Sequence, residues 1–295
     1  MKVIITIPAY NEEKHIGYVL EDIKKIMSNT KYNYQILVVD DGSTDNTKEI
    51  AKKAGAIVFS HITNRGLAQT FKTEMEKCLE LKADIIVHTD ADAQYCSEPI
   101  PLMIKKIEEG DHLVIGTRFS KGGKYIGSFM NRMGNIIFAK VFSNILKRKI
   151  TDTTTGFRAF TPEVAKISLQ IINNFTYVQE QLIRVVREGM NISEVPIITR
   201  PTTRKSRLFK NPLEYAVRAW INIFRIYRDY DPLKFFGRIA ILLLFIGFII
   251  GVWLFYLFIT RGYTGHIGLI ILTVLLVMVG LQIGLFGFLA DMLKK

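Results

Sequence analysis

Two long stretches without a charged residue constrain this chain more than any other feature. They run from Ile239 to Thr260 and from Ile267 to Leu289, over 22 and 23 residues. A helix of that length is roughly 33 Å long, which matches the hydrocarbon core of a bilayer. Only six residues connect the two stretches. The sequence therefore predicts two transmembrane helices that form an antiparallel hairpin.

Each predicted span also carries a pair of glycines four residues apart, Gly247 with Gly251 and Gly280 with Gly284. Small residues at this spacing are typical of helices that approach each other closely in a membrane. A homo-oligomer formed through the spans is one interpretation of these pairs.

The basic residues are placed unevenly around the predicted spans. Lys and Arg are frequent in the segment before the first span, Lys294 and Lys295 follow the second, and the connection holds only Arg261. This bias places both termini, and with them the bulk of the chain, on the cytoplasmic side. The net charge of +12 favours an anionic partner: nucleic acid, a phosphorylated substrate or lipid headgroups. Because the basic residues lie beside the spans, we expect no nucleic acid as a partner.

The first 211 residues alternate apolar runs with amphipathic stretches. The apolar runs are nearly continuous, which is typical of strands buried on both faces of a mostly parallel sheet. The predicted strands are Val3–Ile7, Gln35–Asp40, Ala56–Ser60, Asp84–Thr89 and Leu113–Thr117. The predicted helices are Glu12–Met27, Asp45–Ala54, Leu67–Leu81 and Pro101–Glu109. This α/β pattern predicts ligands at the carboxyl ends of the strands.

A basic amphipathic segment, residues 212–230, separates this domain from the spans. Its apolar positions recur at helical spacing and include Trp220, so we expect a helix that lies in the membrane interface. The chain thus divides into an α/β domain at 1–211, a juxtamembrane helix and linker at 212–238, and two transmembrane helices at 239–295.

Carboxylates follow three of the predicted strands, which brings acid to one edge of the sheet in a basic protein. The sharpest signal is the pair Asp90 and Asp92, directly after a buried strand. Burying two unpaired carboxylates is costly, and a divalent metal that bridges them to phosphate oxygens removes that cost. Gln94 supplies a further oxygen. We therefore expect Mg²⁺ or Mn²⁺ at Asp90, Asp92 and Gln94.

Four motifs in order carry a family resemblance: Pro8–Glu13 (PAYNEE), Val39–Asp45 (VDDGSTD), Asp90–Gln94 (DADAQ) and Gly116–Phe119 (GTRF). Together with the C-terminal hairpin they resemble glycosyltransferase family 2, and more closely its polyprenyl-phosphate group, that of dolichyl-phosphate mannose synthase. The resemblance covers about residues 1–240. It implies a GT-A fold, which is a Rossmann-like, mostly parallel sheet. It also implies an inverting transfer of a hexose from a nucleotide-diphosphate sugar to a polyprenyl (dolichyl) phosphate.

The same resemblance implies site residues. Those for the nucleotide sugar are Pro8, Tyr10, Glu12, Asp40, Asp90 and Ala91. Those for the phosphate of the acceptor are Arg118, Arg132, Arg204, Ser206 and Arg207. The 204–207 cluster is equally well interpreted as attraction to a membrane surface. The residues expected to carry the reaction are Asp90, Asp92 and Arg118. A dedicated base is not expected, because a phosphate monoester is already anionic at pH 7, although Asp90 or Glu180 could take that role.

Two other functions stay open. A processive polysaccharide synthase would carry Gln-x-x-Arg-Trp, whereas here Gln181–Arg184 is followed by Val185, and two spans are too few for a channel. A non-catalytic lipid-phosphate-binding scaffold would have no use for Asp90, Asp92 and Gln94. The donor also stays open among GDP-mannose, UDP-glucose and UDP-N-acetylglucosamine.

Overall fold

Seven strands form one sheet in the N-terminal part of the computed structural model. They are β1 (Lys2–Ala9), β2 (Asn33–Asp40), β3 (Ile57–Ser60), β4 (Ile85–His88), β5 (Leu113–Thr117), β6 (Arg158–Phe160) and β7 (Ile192–Pro196). Their order across the sheet is β3-β2-β1-β4-β6-β5-β7. Strand β6 runs antiparallel to β4 and β5, and every other pair is parallel. The predicted α/β class with a mostly parallel sheet is confirmed.

The structure describes residues 1–126, 129–171, 177–201 and 231–293, together with Ile221, Phe224, Arg225, Tyr227 and Arg228. Two units, Met1–Pro212 and Leu213–Lys295, each have their own internal contacts. The helices of the first unit are α1 (Ile16–Met27), α2 (Thr47–Lys53), α3 (Leu67–Glu80), α4 (Ile100–Glu108), α5 (Phe129–Leu146), α6 (Pro162–Ser168) and α7 (Tyr177–Arg187). Those of the second are α8 (Pro232–Arg261) and α9 (Ile267–Met292).

Helices cover both faces of the sheet, as its continuous apolar strands require. On one face Ile5 and Ile7 of β1 join a buried cluster with Leu20 of α1 and Ile104 of α4. On the other face Thr6 of β1 meets α3. Burying each large apolar side chain contributes about 1.5–3 kcal/mol, so this double cover is the main source of stability of the unit. The carboxyl ends of the parallel strands, with the loops that follow them, lie at one end of the sheet, which we call the working edge.

Two strands differ from the sequence-based prediction, which contained neither β6 nor β7. The three-residue β6 inserts antiparallel between β4 and β5. The run Ile192–Pro196 in β7 is only partly buried because it forms the edge of the sheet beside β5. Strand β6 has only three residues, and β7 contains the polar residues Ser193 and Glu194, so the apolar pattern does not reveal either strand.

The second unit contains a pair of long apolar helices. Both α8 and α9 are long and apolar enough to cross a membrane, judged by length and composition. Helix α8 begins at Pro232, seven residues before the predicted span, and so includes Lys234 and Arg238. Most of their large apolar side chains are exposed. This exposure fits a lipid environment better than the core of a soluble protein.

The glycines of the two helices lie along their mutual contact. A Cβ on Gly247 would lie 3.1 Å from Val277, and one on Gly280 would lie 3.0 Å from Leu244. Glycine at these positions lets the helices of one hairpin approach each other closely. The small-residue pairs are therefore used within the chain, and they give no separate support to a homo-oligomer.

Candidate active site

Three neighbouring strands end together at the working edge. In the register of the sheet Ala9 of β1 stands opposite Asp40 of β2, and Thr6 of β1 opposite His88 of β4. Because the strands are parallel, the segments after them share one edge, as predicted. The structure therefore brings three segments together at the working edge: Pro8–Glu12, the turn at Asp40 and the loop Asp90–Gln94.

The first two of these segments bind each other. The Asn11 amide nitrogen donates to Ser43 Oγ (2.9 Å), and Asn11 Oδ1 accepts a bond from the Thr44 amide (2.8 Å). Asn11 reaches this position with φ +53°, a conformation that asparagine tolerates better than most residues. Tyr10 next to it is 37% exposed at the edge, whereas Pro8 is buried in β1. A ring presented beside a well-ordered turn is suited to contact a planar ligand group.

The aspartates at the end of β2, Asp40 as its last residue and Asp41 directly after it, have structural partners. Asp40 is buried, and its Oδ1 accepts a bond from the Ser43 amide (3.1 Å). Asp41 Oδ1 accepts bonds from the Arg65 amide (2.9 Å) and contacts His61 Nδ1 (2.7 Å), and Oδ2 accepts a bond from the Gly66 amide (2.9 Å). Asp41 therefore ties the loop after β3 to the start of α3.

The turn after β2 requires a glycine, and Gly42 provides it. It adopts φ +72°, and a Cβ there would lie 2.8 Å from the backbone carbonyl carbon of Thr63. The backbone of the loop after β3 therefore packs directly on the turn after β2.

The carboxylate pair lies on the loop after β4. Burial and the charge of Asp92 raise the pKa of Asp90 to about 6. Asp92 Oδ1 accepts a bond from the Gln94 amide (3.0 Å), and Ala91 between the two acids is buried. A Cβ on Gly156 would lie 3.1 Å from Asp90 Oδ1, which is closer than most side-chain contacts, so the glycine leaves room for this carboxylate.

These residues fit a divalent cation completed by ligand oxygens. Within the described residues no group of three His, Cys, Asp or Glu side chains forms a closed metal cage. Two carboxylates whose repulsion raises the pKa of one of them are relieved by a bound dication. Mg²⁺ and similar ions are held by one or two carboxylates together with substrate phosphates. The donor set at Asp90 and Asp92 is of that open kind.

A second pair of ionisable groups lies behind Asp90 and was not predicted. Glu74 of α3 is fully buried, accepts a bond from Thr6 Oγ1 (2.8 Å) and lies 3.4 Å from His88 Nδ1. Burial lowers the pKa of His88, but the Glu74 carboxylate outweighs it and the pKa is raised. A glutamate within the apolar stripe of α3, beside Phe71, Met75 and Cys78, was the signal available in the sequence.

Arg118 is held by Asp152 in a two-pronged ion pair. Nε donates to Oδ2 (2.7 Å) and Nη2 to Oδ1 (2.9 Å), and Nη2 also donates to Thr154 Oγ1 (2.7 Å). The guanidinium is buried and lies over the rings of Phe119 and Tyr125. Burial lowers the pKa of Arg118, and the Asp152 carboxylate raises it more, so the group is cationic throughout the physiological range.

Arg132 lies on the exposed side of α5, in the first turns of that helix. The same helix exposes apolar side chains over its first turns: Phe129 (72%), Met133 (44%), Ile136 (39%) and Ile137 (50%). Asn135, one helical turn after Arg132, is buried, with its Oδ1 3.5 Å from Thr154 Oγ1. Helix α5 therefore joins a cation and an apolar face to the network around Arg118.

The remaining predicted residues fall into two groups. Arg204, Ser206 and Arg207, and most of the expected interface helix at 212–230, lie outside the described residues. Glu180 on α7, named above as a possible base, accepts a bond from Arg184 Nη2 (3.0 Å) one helical turn later and so forms an ordinary ion pair within the helix.

The comparisons with known proteins agree with this geometry. Residues 4–167 match Glycosyl transferase family 2. Dolichyl-phosphate hexose transferase of Haloferax volcanii is 35% identical over 69% of this chain and 85% of its own length. UDP-N-acetylglucosamine–dolichyl-phosphate N-acetylglucosaminyltransferase of Methanococcus voltae is 30% identical over 67% of this chain and 85% of its own length.

A solved structure shares the fold. Glucosyl-3-phosphoglycerate synthase of Mycobacterium tuberculosis, in a complex with Mn²⁺, UDP and glucosyl-3-phosphoglycerate, superposes with a TM-score of 0.59 at 19% identity. The match covers 78% of this chain and 79% of the other. The fold is GT-A, as expected from the motifs. With the sheet, the motif-bearing edge and these matches together, the chain belongs to glycosyltransferase family 2.

Proposed function

We propose that this glycosyltransferase moves a sugar from a nucleotide-diphosphate donor to a dolichyl-type polyprenyl phosphate. One observation carries the proposal: the loop with Asp90 and Asp92 lies near the buried ion pair of Arg118 with Asp152, and near a helix, α5, that exposes apolar side chains and Arg132. A Cβ on Gly156 would lie 3.1 Å from Asp90 Oδ1, and Asp152 and Thr154, in the segment just before Gly156, hold Arg118. An acidic half for a metal-bound diphosphate thus adjoins a basic half for a phosphate.

The donor binds at the acidic half. Tyr10, Glu12 and Asp40 lie where the nucleoside would meet the edge of the sheet. Asp90, Asp92 and Gln94 would hold Mg²⁺ or Mn²⁺, which supplies charge to the departing diphosphate when bound. Support comes from the raised pKa of Asp90 and from the family, whose relative from Methanococcus voltae is named for a UDP-sugar.

The acceptor binds at the basic half. Arg118 and Arg132 supply positive charge on this side, and the exposed face of α5 offers Phe129, Met133 and Ile137 to an apolar chain. A polyprenyl phosphate combines an anionic head with an apolar tail, so it matches both features. The relatives named for dolichyl phosphate support the same acceptor class.

The reaction itself needs little proton transfer. The acceptor phosphate is already anionic near pH 7 because its second pKa is about 6. Its oxygen forms a bond to the anomeric carbon while the bond from that carbon to the diphosphate oxygen breaks, and the electron pair leaves with the nucleoside diphosphate. The chain's own residues align the two anions and neutralise them, which is the main burden of such a transfer. The anomeric configuration inverts in this single displacement.

The membrane arrangement belongs to the same proposal. Helices α8 and α9 cross the bilayer as a hairpin, and the excess of Lys and Arg before α8 places both ends of the chain on the cytoplasmic side. The domain boundaries at 211 and 238 describe the catalytic part, the interface segment and the anchor.

A processive polysaccharide synthase is less well supported. Gln181, the first residue of the fragment that resembles its motif, is fully buried and accepts a bond from Arg158 Nη1 (3.1 Å) while donating to Ser168 Oγ (3.0 Å). Its side chain therefore serves the packing of α7 rather than a substrate.

A transfer assay tests the proposal. The full chain in lipid vesicles is given labelled GDP-mannose, UDP-glucose or UDP-N-acetylglucosamine with dolichyl phosphate and Mn²⁺. We expect label in the lipid phase with one donor. Hydrolysis of donors without lipid product, or binding without turnover, would instead fit the scaffold alternative.

A further inference from the structure

A carboxylate on the edge strand of the sheet holds the loop that binds Arg118. Glu194 of β7 is half-buried, and its Oε1 accepts bonds from the amides of Thr151 (2.7 Å) and Asp152 (3.3 Å). Its Oε2 accepts a bond from Thr151 Oγ1 (3.0 Å). Thr151 Oγ1 also lies 2.6 Å from Thr117 Oγ1, directly before Arg118. Glu194 therefore ties the loop at 151–152 to β7, and Thr151 ties the same loop to β5.

The same loop determines the orientation of Arg118. Asp152 is 1% exposed and binds Nε and Nη2 of the guanidinium in the fork geometry that suits arginine. Its carboxylate also accepts bonds from the Arg118 and Thr154 amides (both 3.2 Å). Two of the three guanidinium nitrogens are therefore fixed, which fixes the direction of the third, Nη1.

We propose that Glu194 is a positioning residue for the acceptor phosphate, acting through Thr151 and Asp152 on the Arg118 guanidinium. This inference rests on the proposed function, because it takes Arg118 as the cation that meets the acceptor. An unrestrained arginine samples many rotamers, and immobilising such a side chain when a ligand binds costs free energy. The chain from β7 to Asp152 removes that cost before the acceptor arrives. Glu194 itself touches no substrate.

The chemistry of the contacts separates positioning from charge. Burial raises the pKa of Glu194, so the protein does not favour its charged form. A glutamine there keeps an oxygen for the Thr151 and Asp152 amides and offers an N–H to Thr151 Oγ1, which is able to accept as well as donate. Glu194→Gln therefore preserves the three bonds without the charge, whereas Glu194→Ala removes them all.

Steady-state kinetics with the full chain in vesicles test this inference. Glu194→Ala is expected to raise the KM for dolichyl phosphate about tenfold and leave the donor KM within twofold, and Glu194→Gln is expected to restore the wild-type acceptor KM. Glu188→Ala, an exposed acid on the same unit, is the matched control. Should Glu194→Ala fail to fold, Thr151→Val removes one of the three bonds and is expected to raise the acceptor KM two- to threefold.

Three results would overturn the inference. An unchanged acceptor KM in Glu194→Ala would show that the loop does not control the acceptor. Equal losses for donor and acceptor, together with a lower Tm, would show a purely structural role. A Glu194→Gln variant as impaired as Glu194→Ala would assign the effect to charge. Failure of the proposed function looks different, because the wild-type chain itself would then transfer no sugar to lipid.

Discussion

Asp90 is subject to opposing electrostatic influences. Burial and Asp92 raise its pKa, whereas His88 and Arg118 act in the opposite direction. The result, a pKa of about 6, is that of a carboxyl group whose negative charge is poorly compensated by the protein alone. A bound dication compensates it, so the unfavourable electrostatics of this loop favour metal binding. At the scale of a single residue, part of the free energy of metal binding therefore comes from relief of the unfavourable charge on Asp90.

Replacing Asp90 tests this electrostatic argument without an activity assay. Since the native carboxyl binds its proton more tightly than the unfolded one, the stability of the metal-free protein falls as pH rises from about 4 through 6. Asp90→Asn removes this loss, and we expect it to stabilise the metal-free protein at pH 7 by about 1–3 kcal/mol. Thermal unfolding in EDTA at pH 5 and pH 7 measures the effect.

The matched control is Asp111→Asn. Asp111 lies just before β5, at the amino end of that strand and so away from the working edge. Mn²⁺ is expected to stabilise the wild-type protein and not Asp90→Asn. A variant that is no more stable than the wild type at pH 7 would contradict the electrostatic interpretation of Asp90.

Arg118 offers a second test at the same scale. Arg118→Lys keeps a positive charge but loses the fork that Asp152 binds, so we expect the acceptor KM to rise at least tenfold while nucleotide affinity stays within twofold. Leaving Asp152 poorly paired also lowers the Tm, since it is fully buried. Isothermal titration calorimetry with the nucleotide measures the donor affinity separately from the acceptor KM. A tenfold loss of donor affinity, about 1.4 kcal/mol, would assign Arg118 to the donor instead.

At the scale of elements, α5 connects the site to its surroundings. Its buried side carries Asn135 toward the Thr154 and Arg118 network, and its exposed side carries Arg132 and an apolar face. The two sides place a phosphate-binding cation next to a surface suited to acyl or prenyl chains. A long acceptor would gain from both, and a short one only from the first.

Charge introduced on that face separates the two contributions. The double variant Met133→Glu with Ile137→Glu is expected to lower kcat/KM for dolichyl phosphate in anionic vesicles at least tenfold, with less than a twofold change for a short, soluble prenyl phosphate. Asn144→Glu, an exposed polar position on the same helix, is the control. Equal effects on both acceptors would mean that the substitutions disturb the site itself.

Sequence and structure agree best where an element carries its own signal. The five strands with nearly continuous apolar runs, and the acidic residues at the ends of three of them, were predictable from the sequence pattern. Strand β6 has three residues and β7 alternates, and both depend on neighbours distant in sequence. Likewise the partners of Arg118 and Asp41 are set by tertiary contacts: Asp152 lies 34 residues from Arg118, and no spacing rule connects them.

At the scale of the whole molecule, the proposed membrane anchor and the glycosyltransferase unit share one chain. The donor is water-soluble and the proposed acceptor keeps its tail in the bilayer, so attachment to the membrane raises the effective concentration of the acceptor. The glycines of α8 and α9 pack against the other helix of the same hairpin, which is consistent with an anchor formed by a single chain.

Removing the anchor shows what it contributes. A chain shortened to residues 1–231 is expected to fold and to bind nucleotide sugar, because the sheet and its helices lie within the first unit. It should lose most activity on dolichyl phosphate in membranes and much less on a short prenyl phosphate. Equal losses on both acceptors would indicate that the hairpin helps to build the site, and no loss on either would contradict a role in acceptor capture.

Metal-dependent transfer to lipid is the most direct test of the whole account. The full chain in vesicles receives dolichyl phosphate and the labelled donor that supports turnover, with Mn²⁺ or with EDTA, beside an Asp92→Asn variant. The account predicts labelled lipid only in the wild-type reaction with metal, and weaker donor binding by Asp92→Asn in calorimetry. Undiminished lipid labelling in EDTA, or by Asp92→Asn, would contradict it.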